Sequence, residues 1–459
     1  MEKIKFLFKI IGLVVIGFMI CSVVQAAETG KPSGKPAKGA QIKGGPPGGK
    51  GGPPGGPPRF GLRPTENRKQ IYDRRKALLR LDINGDESIS PQEYDGPPKM
   101  FKELDTDANG NLSFEEAKWA MTFSNIPSGS FMMGSDMGKE DARPAHRVII
   151  DAFKMGTTEV TTAQYCLYLN AALKAGEIAV KLGNAGGMGT RIFIPVPAYE
   201  VNGAPGTKYA GKPYTLLSPV AGLSHIKLPG HPILIPEHPL NQSWISYVPD
   251  LKRFYVNPGF EDWPVVNVRW YGAFAFAEHY GLSLPTEAEW EYVAGGGRQF
   301  KYATNDGTVS CKNANYSCFK KMVGPPHRGV DTPDEFVGYR MKVGSYPSNP
   351  LGVFELAGNV WEYCLDWYKE DFYQYCVDNG ITRNPVNLLG EEPPMDGSTK
   401  GGPMGGWTHD ARVIRGGSYQ YHESTLQTAS RTRNYPFRGN DHFGFRVALR
   451  SPSVVFNGK

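Results

Sequence analysis

Three short aromatic segments in the C-terminal half most constrain what this chain can fold into. They read LPTEAEWEY at residues 284–292, AGNVWEY at 357–363 and RGGSY at 415–419, with GFRVAL following at 444–449. The chain as a whole is rich in Gly, Pro, Tyr and Phe, which favours loops and strands with large aromatic anchors over a helical bundle. Its 459 residues suit one large domain with additions.

In this order, the segments resemble the formylglycine-generating enzyme family, whose members are also called sulfatase-modifying factors. Four more segments of the resemblance precede them: IPSGSFMMGS at 126–135, PAHRV at 144–148, TEVT at 158–161 and PVVNVRW at 264–270. The resemblance covers residues 124–452. It implies an α/β (α+β) fold of low regular content, related to C-type lectin domains. It also implies oxidation of a sulfatase cysteine to formylglycine by two cysteines that hold copper(I).

This chain lacks the cysteine pair of that family. Aligned without gaps, the two positions fall on Tyr421 and Leu426, and the last cysteine of the sequence is Cys376. Copper(I) requires soft thiolate ligands, so we expect no copper. Ser418 and Trp361 match active-site positions of the family but supply no redox chemistry. We therefore predict a pseudoenzyme without catalytic residues. The alternative is a formylglycine-generating oxidase with an atypical metal site, or another activity in the same cleft.

The residues around and after the Gly-Gly-Ser-Tyr segment are rich in aromatic, Arg and Asn side chains, a composition that suits recognition. We expect a peptide, protein or glycan ligand, including cell-envelope components, and no nucleic acid. The predicted surface contains Ser418, Tyr419, Tyr421, His422, Arg431, Arg433, Asn434 and Arg438. Ser418, His422 and Asp441 offer a hydrolytic alternative, although no nucleophile-elbow motif accompanies them.

A repeat with a period of 23 residues precedes the large domain, and both copies resemble the 12-residue calcium loop of EF-hand proteins. The first loop offers oxygen ligands from Asp82, Asn84, Asp86, Ser88, Ser90 and Glu93. The second offers them from Asp105, Asp107, Asn109, Asn111, Ser113 and Glu116. Gly110 takes the sharp turn of the second loop. Glu87 occupies that place in the first, so we expect strain to weaken calcium binding there. The pair at 67–122 is predicted to be extracellular and is short of acidic ligands, so we expect it to bind weakly and to act as a structural clip.

The family resemblance implies two further calcium sites inside the large domain. The first matches Asn315 and Tyr316. The second, around the Gly-Asn-x-Trp-Glu motif, matches Glu355, the carbonyls of Gly358 and Val360, and Glu362. Glu355 stands where the family has Asn, and it still offers oxygen.

The acidic residues of LPTEAEWEY also have a structural interpretation. Thr286, with Glu289 three positions on, predicts the cap of a short helix at 287–294. We expect Glu287 and Glu291 on that helix to pair with arginines such as Arg415, Arg431 or Arg446 rather than act as acids. Trp290, Tyr292 and Trp361 are expected core anchors. Two longer helices are predicted at 162–174 and 270–280.

The first 66 residues predict export and a tether. Lys3, Lys5 and Lys9 precede an apolar run at 10–24, which indicates a signal peptide at 1–26, with an uncleaved anchor as the alternative. The Gly/Pro-rich stretch at 27–66 predicts a disordered linker. We expect a secreted, periplasmic or cell-envelope protein without a membrane span after cleavage. In that oxidising compartment, Cys311–Cys318 and Cys364–Cys376 are the candidate disulfides.

Overall fold

Short helices and strands joined by long irregular segments make up the described part of the chain. The computed structural model describes residues 71–184, 197–219, 223–228, 231–236, 243–318, 340–395 and 408–458. The predicted signal peptide at 1–26 and linker at 27–66 lie outside these residues. Within them, no helix has both the length and the apolar character needed to cross a membrane.

The structure is mixed α/β and rich in sheets, as the family resemblance implied. The helices are α1 (Arg74–Leu79), α2 (Pro98–Leu104), α3 (Thr162–Lys174), α4 (Trp270–His279), α5 (Glu287–Ala294) and α6 (Phe372–Asp378). Short 3-10 turns lie at Glu116–Trp119, Glu140–Ala142, Pro249–Leu251 and Glu423–Thr425. The predicted helices of the large domain match α3, α4 and α5.

The strands are short as well. They are β1 (Ser88–Ile89), β2 (Leu112–Ser113), β3 (Phe123–Ile126), β4 (Gly129–Met133), β5 (His146–Ile150), β6 (Phe153–Gly156), β7 (Ile178–Asn184), β8 (Pro197–Gly203), β9 (Pro213–Pro219), β10 (Leu223–Leu228), β11 (His231–Pro236), β12 (Ile245–Val248), β13 (Arg253–Val256), β14 (Trp361–Trp367), β15 (Pro385–Val386), β16 (Arg412–Arg415), β17 (Thr432–Asn434), β18 (Phe443–Gly444), β19 (Ala448–Arg450) and β20 (Asn457–Gly458). They form sheets of two to four strands.

One four-stranded sheet gathers the C-terminal motif segments. Its order is β17-β16-β14-β18, with antiparallel pairs except for β14 and β18, which run parallel. The register places Glu362 opposite Arg415 and Trp361 opposite Phe443. Every residue of β14 is buried. The sheet therefore brings segments that are far apart in the sequence into direct contact inside the core.

Helix α5 begins with the predicted capping box. The Oγ1 of Thr286 accepts a hydrogen bond from the Glu289 N–H at 3.1 Å, and the Glu289 carboxylate accepts one from the Thr286 N–H at 2.7 Å. All eight residues of the helix are buried. Trp290, Tyr292 and Trp361 are buried too, which confirms their prediction as core anchors.

The cysteines follow the predicted pairing only in part. Cys311 and Cys318 form a disulfide. The predicted pair of Cys364 and Cys376 is wrong, because both are free, Cys364 in the buried strand β14 and Cys376 on helix α6. Burial raises the pKa of the Cys376 thiol to about 12. Cys166 is also free and buried.

The two predicted calcium loops are joined by the smallest sheet of the structure. Strands β1 and β2 pair antiparallel, with Ile89 opposite Leu112. Both side chains are fully buried and belong to a hydrophobic cluster that continues into the large domain, where it includes Tyr165 and Phe276. The loop pair therefore shares a continuous apolar core with the domain that follows it.

Candidate functional site

The family active-site positions lie where β14, β16 and β18 meet. Trp361 begins β14, and Ser418 follows β16 by three residues. The turn between β16 and Ser418 contains Gly416 and Gly417, with φ of +94° and +77°. A Cβ at Gly417 would lie 2.6 Å from a methyl carbon of Leu426, and the positive φ adds strain for any side chain, so both features favour glycine here.

Apolar and aromatic packing fills the two positions where the family has cysteines. Leu426 is fully buried in a hydrophobic cluster together with Trp290. The Tyr421 ring makes an edge contact with Trp361 at a centroid distance of 5.3 Å, and lies 5.6 Å from the His442 ring. A leucine and a tyrosine offer no thiolate, so a copper(I) site of the family type does not fit this place.

The structure does not assemble Ser418, His422 and Asp441 into a hydrolytic arrangement. Ser418 is buried, and His422 caps the 3-10 turn Glu423–Thr425. In the described part of the chain, no hydrogen bond joins His422 to Ser418 or to Asp441. The Asp441 carboxylate instead contacts Nδ1 of His442 at 2.8 Å and accepts a hydrogen bond from Tyr419 Oη at 3.1 Å.

The Asp441–His442 pair was missed in the sequence, although the two residues are neighbours just before GFRVAL. Burial by itself raises the pKa of Asp441. The hydrogen bond and positive charge of His442, with the charge of Arg340, outweigh burial and lower it to about 2. The imidazole therefore lies against an ionised carboxylate, and its ring also contacts Tyr421.

The predicted ligand surface is smaller than expected. Arg431 is 2% exposed, and its Nε and Nη2 each donate to a Glu287 oxygen at 2.8 Å. Tyr419 is also buried. Ser418 and Asn434 are buried as well, so none of these four side chains lies on the surface. Partly exposed positions that stay in it include His422 and Arg433, whose guanidinium lies 4.3 Å from the Tyr368 ring centroid.

The acidic residues of α5 are ion-pair partners, as predicted. Glu287 is held by Arg431 and by Arg415, whose Nη1 lies 3.2 Å from its carboxylate. Arg415 also contacts Glu291, which accepts the Gly134 N–H at 2.7 Å. Burial raises the pKa of Glu287, but the two guanidinium groups outweigh it, so the net shift is downward. Glu287 is therefore fixed as an anion inside the core.

Glu362, one of the predicted calcium ligands, forms a second buried ion pair. Arg446 Nε and Nη2 donate to its two oxygens at 2.6 and 2.7 Å. Trp290 Nε1 adds a third hydrogen bond at 2.8 Å. Both oxygens are thus engaged, and a cation at this place has to share them with Arg446.

Glu355, the other predicted carboxylate of this site, is buried in a constrained backbone. Its oxygens accept the N–H groups of Gly344 at 2.8 Å and Tyr346 at 3.1 Å. Its φ of +49° lies in the left-handed region, where a non-glycine residue is strained. Burial is the main cause that raises the pKa of Glu355 to about 7.

The structure joins the two predicted internal calcium sites through Asn359. The Asn315 carbonyl accepts the Asn359 N–H at 2.8 Å. A Cβ at Gly358 would lie 2.1 Å from that same carbonyl oxygen, so this contact requires glycine. Tyr316 is buried next to Asn315, and Val360 lies between Asn359 and Trp361.

Sequence reasoning missed Glu159, which lies in the TEVT segment. It is fully buried, and its Oε1 accepts the Asn359 side-chain N–H at 2.9 Å. Its Oε2 has no hydrogen-bond partner among the described residues. Burial, followed by the charge of Glu355, raises the pKa of Glu159 well above its ordinary value. An unpaired buried carboxylate oxygen is costly, so this region favours a proton or a cation.

The second predicted calcium loop brings its carboxylates together. Oxygens of Asp105, Asp107 and Glu116 lie within 4.8 Å of one another, the one such acidic group that the described residues contain. Glu116 accepts the backbone N–H groups of Thr106 and Ser113 at 2.9 and 3.0 Å. Hydrogen bonds from the Ser113 side chain and backbone are the main causes that lower its pKa to about 2. Clustered ionised oxygens fit a hard cation such as calcium.

The first loop has the same backbone hydrogen-bond scheme as the second. Asp82 accepts the Glu87 N–H at 3.1 Å, as Asp105 accepts the Gly110 N–H at 3.0 Å. Glu87 has φ of +63° where the second loop has Gly110 at +87°. Glu93 closes the loop by accepting the Ile83 N–H at 3.0 Å. The other predicted ligands, Asn84, Asp86 and Ser88, hydrogen-bond one another within the loop.

Comparison with known proteins agrees with the motif pattern. The family model described as "Sulfatase-modifying factor enzyme 1-like domain" matches residues 111–451, about three quarters of the chain. The chain belongs to this sulfatase-modifying factor family. The match begins inside the second predicted calcium loop, 13 residues before the predicted domain start at 124.

Several relatives share the sulfatase-modifying factor domain. The formylglycine-generating enzyme of Streptomyces coelicolor is 29% identical over 331 residues, which cover 70% of this chain and 87% of that enzyme. The serine/threonine-protein kinase pkn1 of Chlamydia pneumoniae is 29% identical over 324 residues, but the match spans only 37% of the kinase. Among solved structures, PvdO from Pseudomonas aeruginosa is 21% identical with a TM-score of 0.39, covering 72% of this chain and 94% of PvdO.

Proposed function

We propose that this member of the sulfatase-modifying factor family is an exported calcium-binding protein whose large domain binds a peptide or glycan instead of oxidising cysteines. The observation that carries this proposal is the packing of Tyr421 and Leu426. Leu426 packs against Gly417 in the core, and Tyr421 packs against Trp361. An oxidase of this family holds copper(I) on two thiolates at the positions of Tyr421 and Leu426. The chain is then a pseudoenzyme that keeps the fold and the aromatic surface.

Oxidase activity is the second candidate, favoured by the 29% identity to the Streptomyces coelicolor enzyme over most of its length. The binding function and the oxidase function are distinguished by incubating a cysteine peptide of sulfatase type with the protein, copper(I), oxygen and a thiol reductant. We expect mass spectrometry to find the peptide unchanged while an active family enzyme converts it. Conversion by this chain, or a stoichiometric transition metal in the purified protein, would support the oxidase.

A double variant provides a matched comparison for the copper argument. Tyr421→Cys with Leu426→Cys places two thiols where the family has them. We expect copper(I) to bind this variant and not the parent, measured by competition with a chromophoric copper(I) chelator. Equal copper retention by the two proteins would mean that the metal site lies elsewhere.

Ligand recognition is proposed at the partly exposed residues around Tyr421, namely His422, Arg433 and Arg438. Aromatic and guanidinium groups suit both peptides and sugars. The test is binding of the calcium-loaded chain to glycan and peptide arrays, followed by the His422→Ala/Arg433→Ala variant. Arg383→Ala is the control, because Arg383 is an exposed arginine that pairs with Asp151. Loss of binding in both variants alike would remove this surface from consideration.

Calcium is proposed as the cofactor of the N-terminal loop pair. The clustered oxygens of Asp105, Asp107 and Glu116 support it for the second loop, and the first loop is expected to bind more weakly. We expect titration calorimetry to lose the stronger site in Glu116→Gln. Glu115→Gln is the matched control, since this exposed neighbour lies outside the ligand positions. Unchanged binding by Glu116→Gln would end the EF-hand assignment.

The internal calcium sites remain proposals of the same kind. The donor set that supports them combines the carbonyls of Gly358 and Val360 with the carboxylates of Glu355 and Glu362. The unpaired oxygen of Glu159 adds a negative charge nearby. Calcium at this place would stabilise the chain against unfolding in a Glu93→Gln/Glu116→Gln variant, where both loop sites are removed. Thermal unfolding of that variant with and without calcium tests this. Identical unfolding midpoints would mean that a proton, and not calcium, compensates the negative charge of these carboxylates.

A further inference from the structure

The N-terminal loop unit touches the large domain at the segment that holds Glu355. The backbone N–H groups of Ile71 and Tyr72 both donate to the Gly344 carbonyl, at 2.8 and 2.9 Å. The N–H of the same Gly344 donates to the Glu355 carboxylate at 2.8 Å. Gly344 therefore binds the start of the loop unit through its carbonyl oxygen and the buried Glu355 carboxylate through its N–H.

The contact at Gly344 is too close for any other residue. Its φ is +71°, and a Cβ at this position would lie 2.0 Å from the Cβ of Tyr72. The Tyr72 ring packs edge-on against Phe354, the residue before Glu355, at a centroid distance of 5.3 Å. Tyr72 Oη is also 2.6 Å from Oγ1 of Thr122. The strained backbone at Glu355 is thus held from outside by Tyr72.

Arg74 connects this contact to the second calcium loop. Its Nη1 donates to the carbonyl of Lys118 at 2.5 Å, two residues after the loop ligand Glu116. Its Nη2 forms an ion pair of 3.0 Å with Asp262. The carbonyl of Asp262 in turn accepts the Val343 N–H at 2.9 Å, next to Gly344. A short series of polar contacts therefore runs from the end of the calcium loop to the Glu355 segment.

A second attachment lies at the start of the same loop. Glu103, two residues before Asp105, contacts Nε2 of His279 at 2.9 Å and accepts a hydrogen bond from Tyr280 Oη at 2.7 Å. Nδ1 of His279 contacts Glu177 at 2.8 Å. The start of the second loop is therefore fixed to the large domain directly, and its end is connected to that domain through Arg74.

We propose that calcium in the second loop tightens the hold of the loop unit on the Glu355 segment, so that the unit acts as a calcium-dependent clamp. This inference rests on the calcium binding proposed above and adds its structural consequence. Calcium orders Glu116 and the turn to Lys118, which fixes Arg74 and with it Tyr72 at Gly344. By linkage, whatever stabilises the Glu355 segment raises calcium affinity in the loop by the same factor.

Hydrogen exchange of the full chain, with calcium or with a chelator, tests the clamp. We expect calcium to slow exchange in peptides covering residues 341–356 by about 5-fold or more, the lower end of usual coupling between sites. The effect should disappear in Glu116→Gln, which removes the loop ligand. It should also disappear in Tyr72→Ala, which keeps every calcium ligand.

Two further variants keep the test decisive. Arg74→Gln breaks the contacts to Lys118 and Asp262 and serves if Tyr72→Ala does not fold. Leu79→Ala on the same helix is the control, because this side chain is exposed and its variant should respond to calcium like the parent.

Each contrary outcome has a separate meaning. If calorimetry detects calcium binding at the second loop but calcium does not change hydrogen exchange at residues 341–356, the clamp is overturned and calcium binding stands. If the effect persists in Glu116→Gln, calcium acts at the first loop or inside the large domain, and the clamp is likewise overturned. If calcium does not bind the parent at all, the proposed calcium function fails and the clamp fails with it.

Discussion

Arg431 illustrates how burial decides the role of a single side chain. Its sequence context suits both a ligand surface and an ion pair, and the structure places it inside the core against Glu287. Its guanidinium also lies 4.2 Å from the Tyr373 ring centroid. Removing one partner of a buried ion pair leaves an uncompensated charge, which is far more costly than losing a pair on the surface.

At this scale we predict that Arg431→Met lowers the free energy of unfolding by about 3–5 kcal/mol, because Glu287 keeps only part of its compensation from Arg415. Urea denaturation at pH 7 measures it. Arg383→Met is the control and should cost about 1 kcal/mol or less, since its pair with Asp151 is exposed to solvent. Equal losses in the two variants would contradict a structural role for Arg431.

The elements of this protein are short, and several depend on a single local device. Helix α5 is only eight residues long and is buried throughout, so its first turn depends on the reciprocal hydrogen bonds of Thr286 and Glu289. Strands β1 and β2 have two residues each and depend on the buried contact of Ile89 with Leu112. Single substitutions should therefore affect whole elements.

For helix α5 we predict that Thr286→Ala costs about 1–2 kcal/mol of stability through loss of the cap. Thr286→Ser keeps the hydroxyl and is the matched comparison in the same urea titration. A serine variant as unstable as the alanine variant would assign the cost to the lost methyl group instead of the hydrogen bond.

For the loop pair we predict that Ile89→Ala weakens calcium binding at the second loop by about tenfold, or ~1.4 kcal/mol, although Ile89 is no ligand. The physical reason is that the two loops support each other through β1 and β2. Ile83→Ala is the calorimetric control, because that side chain is 80% exposed. Unaltered affinity in Ile89→Ala would mean that the loops bind independently.

At the scale of the whole molecule, buried acids should govern how stability depends on pH. The pKa values of Glu355 and Asp366 are both raised to about 7, chiefly by burial. The unfolded chain releases these protons near pH 4, while the folded chain retains them up to about pH 7. Since the folded state then binds more protons at these two carboxyl groups, their contribution to stability is greatest at low pH and declines as pH rises toward 7.

We predict that, without calcium, the parent loses more stability between pH 5 and pH 8 than Glu355→Gln does, by about 1–3 kcal/mol. Urea unfolding at several pH values in chelator measures the two slopes. Parallel slopes would contradict the raised pKa of Glu355. Added calcium should reduce the difference if the ion binds beside this carboxylate, because the cation favours its charged form.

Local sequence determined the features that depend on neighbouring residues. The cap of α5, the helices α3 and α4, and the Cys311–Cys318 loop were all predictable from residues a few positions apart. The positive φ at Glu87 followed from its place in the first loop pattern, whereas calcium binding by the two loops stays a prediction. The family fold followed from the order of its motifs, which the match over residues 111–451 confirms.

Only the tertiary structure decided which charges compensate one another. Glu287 meets Arg431 across 144 residues, and Glu362 meets Arg446 across 84, so no local pattern fixes these choices. The same packing buried Arg431 and Tyr419 and left Glu159 with an unpaired oxygen. The physical reason is that burial changes the energy of a charge far more than its neighbours in sequence do, and burial is set by the whole fold.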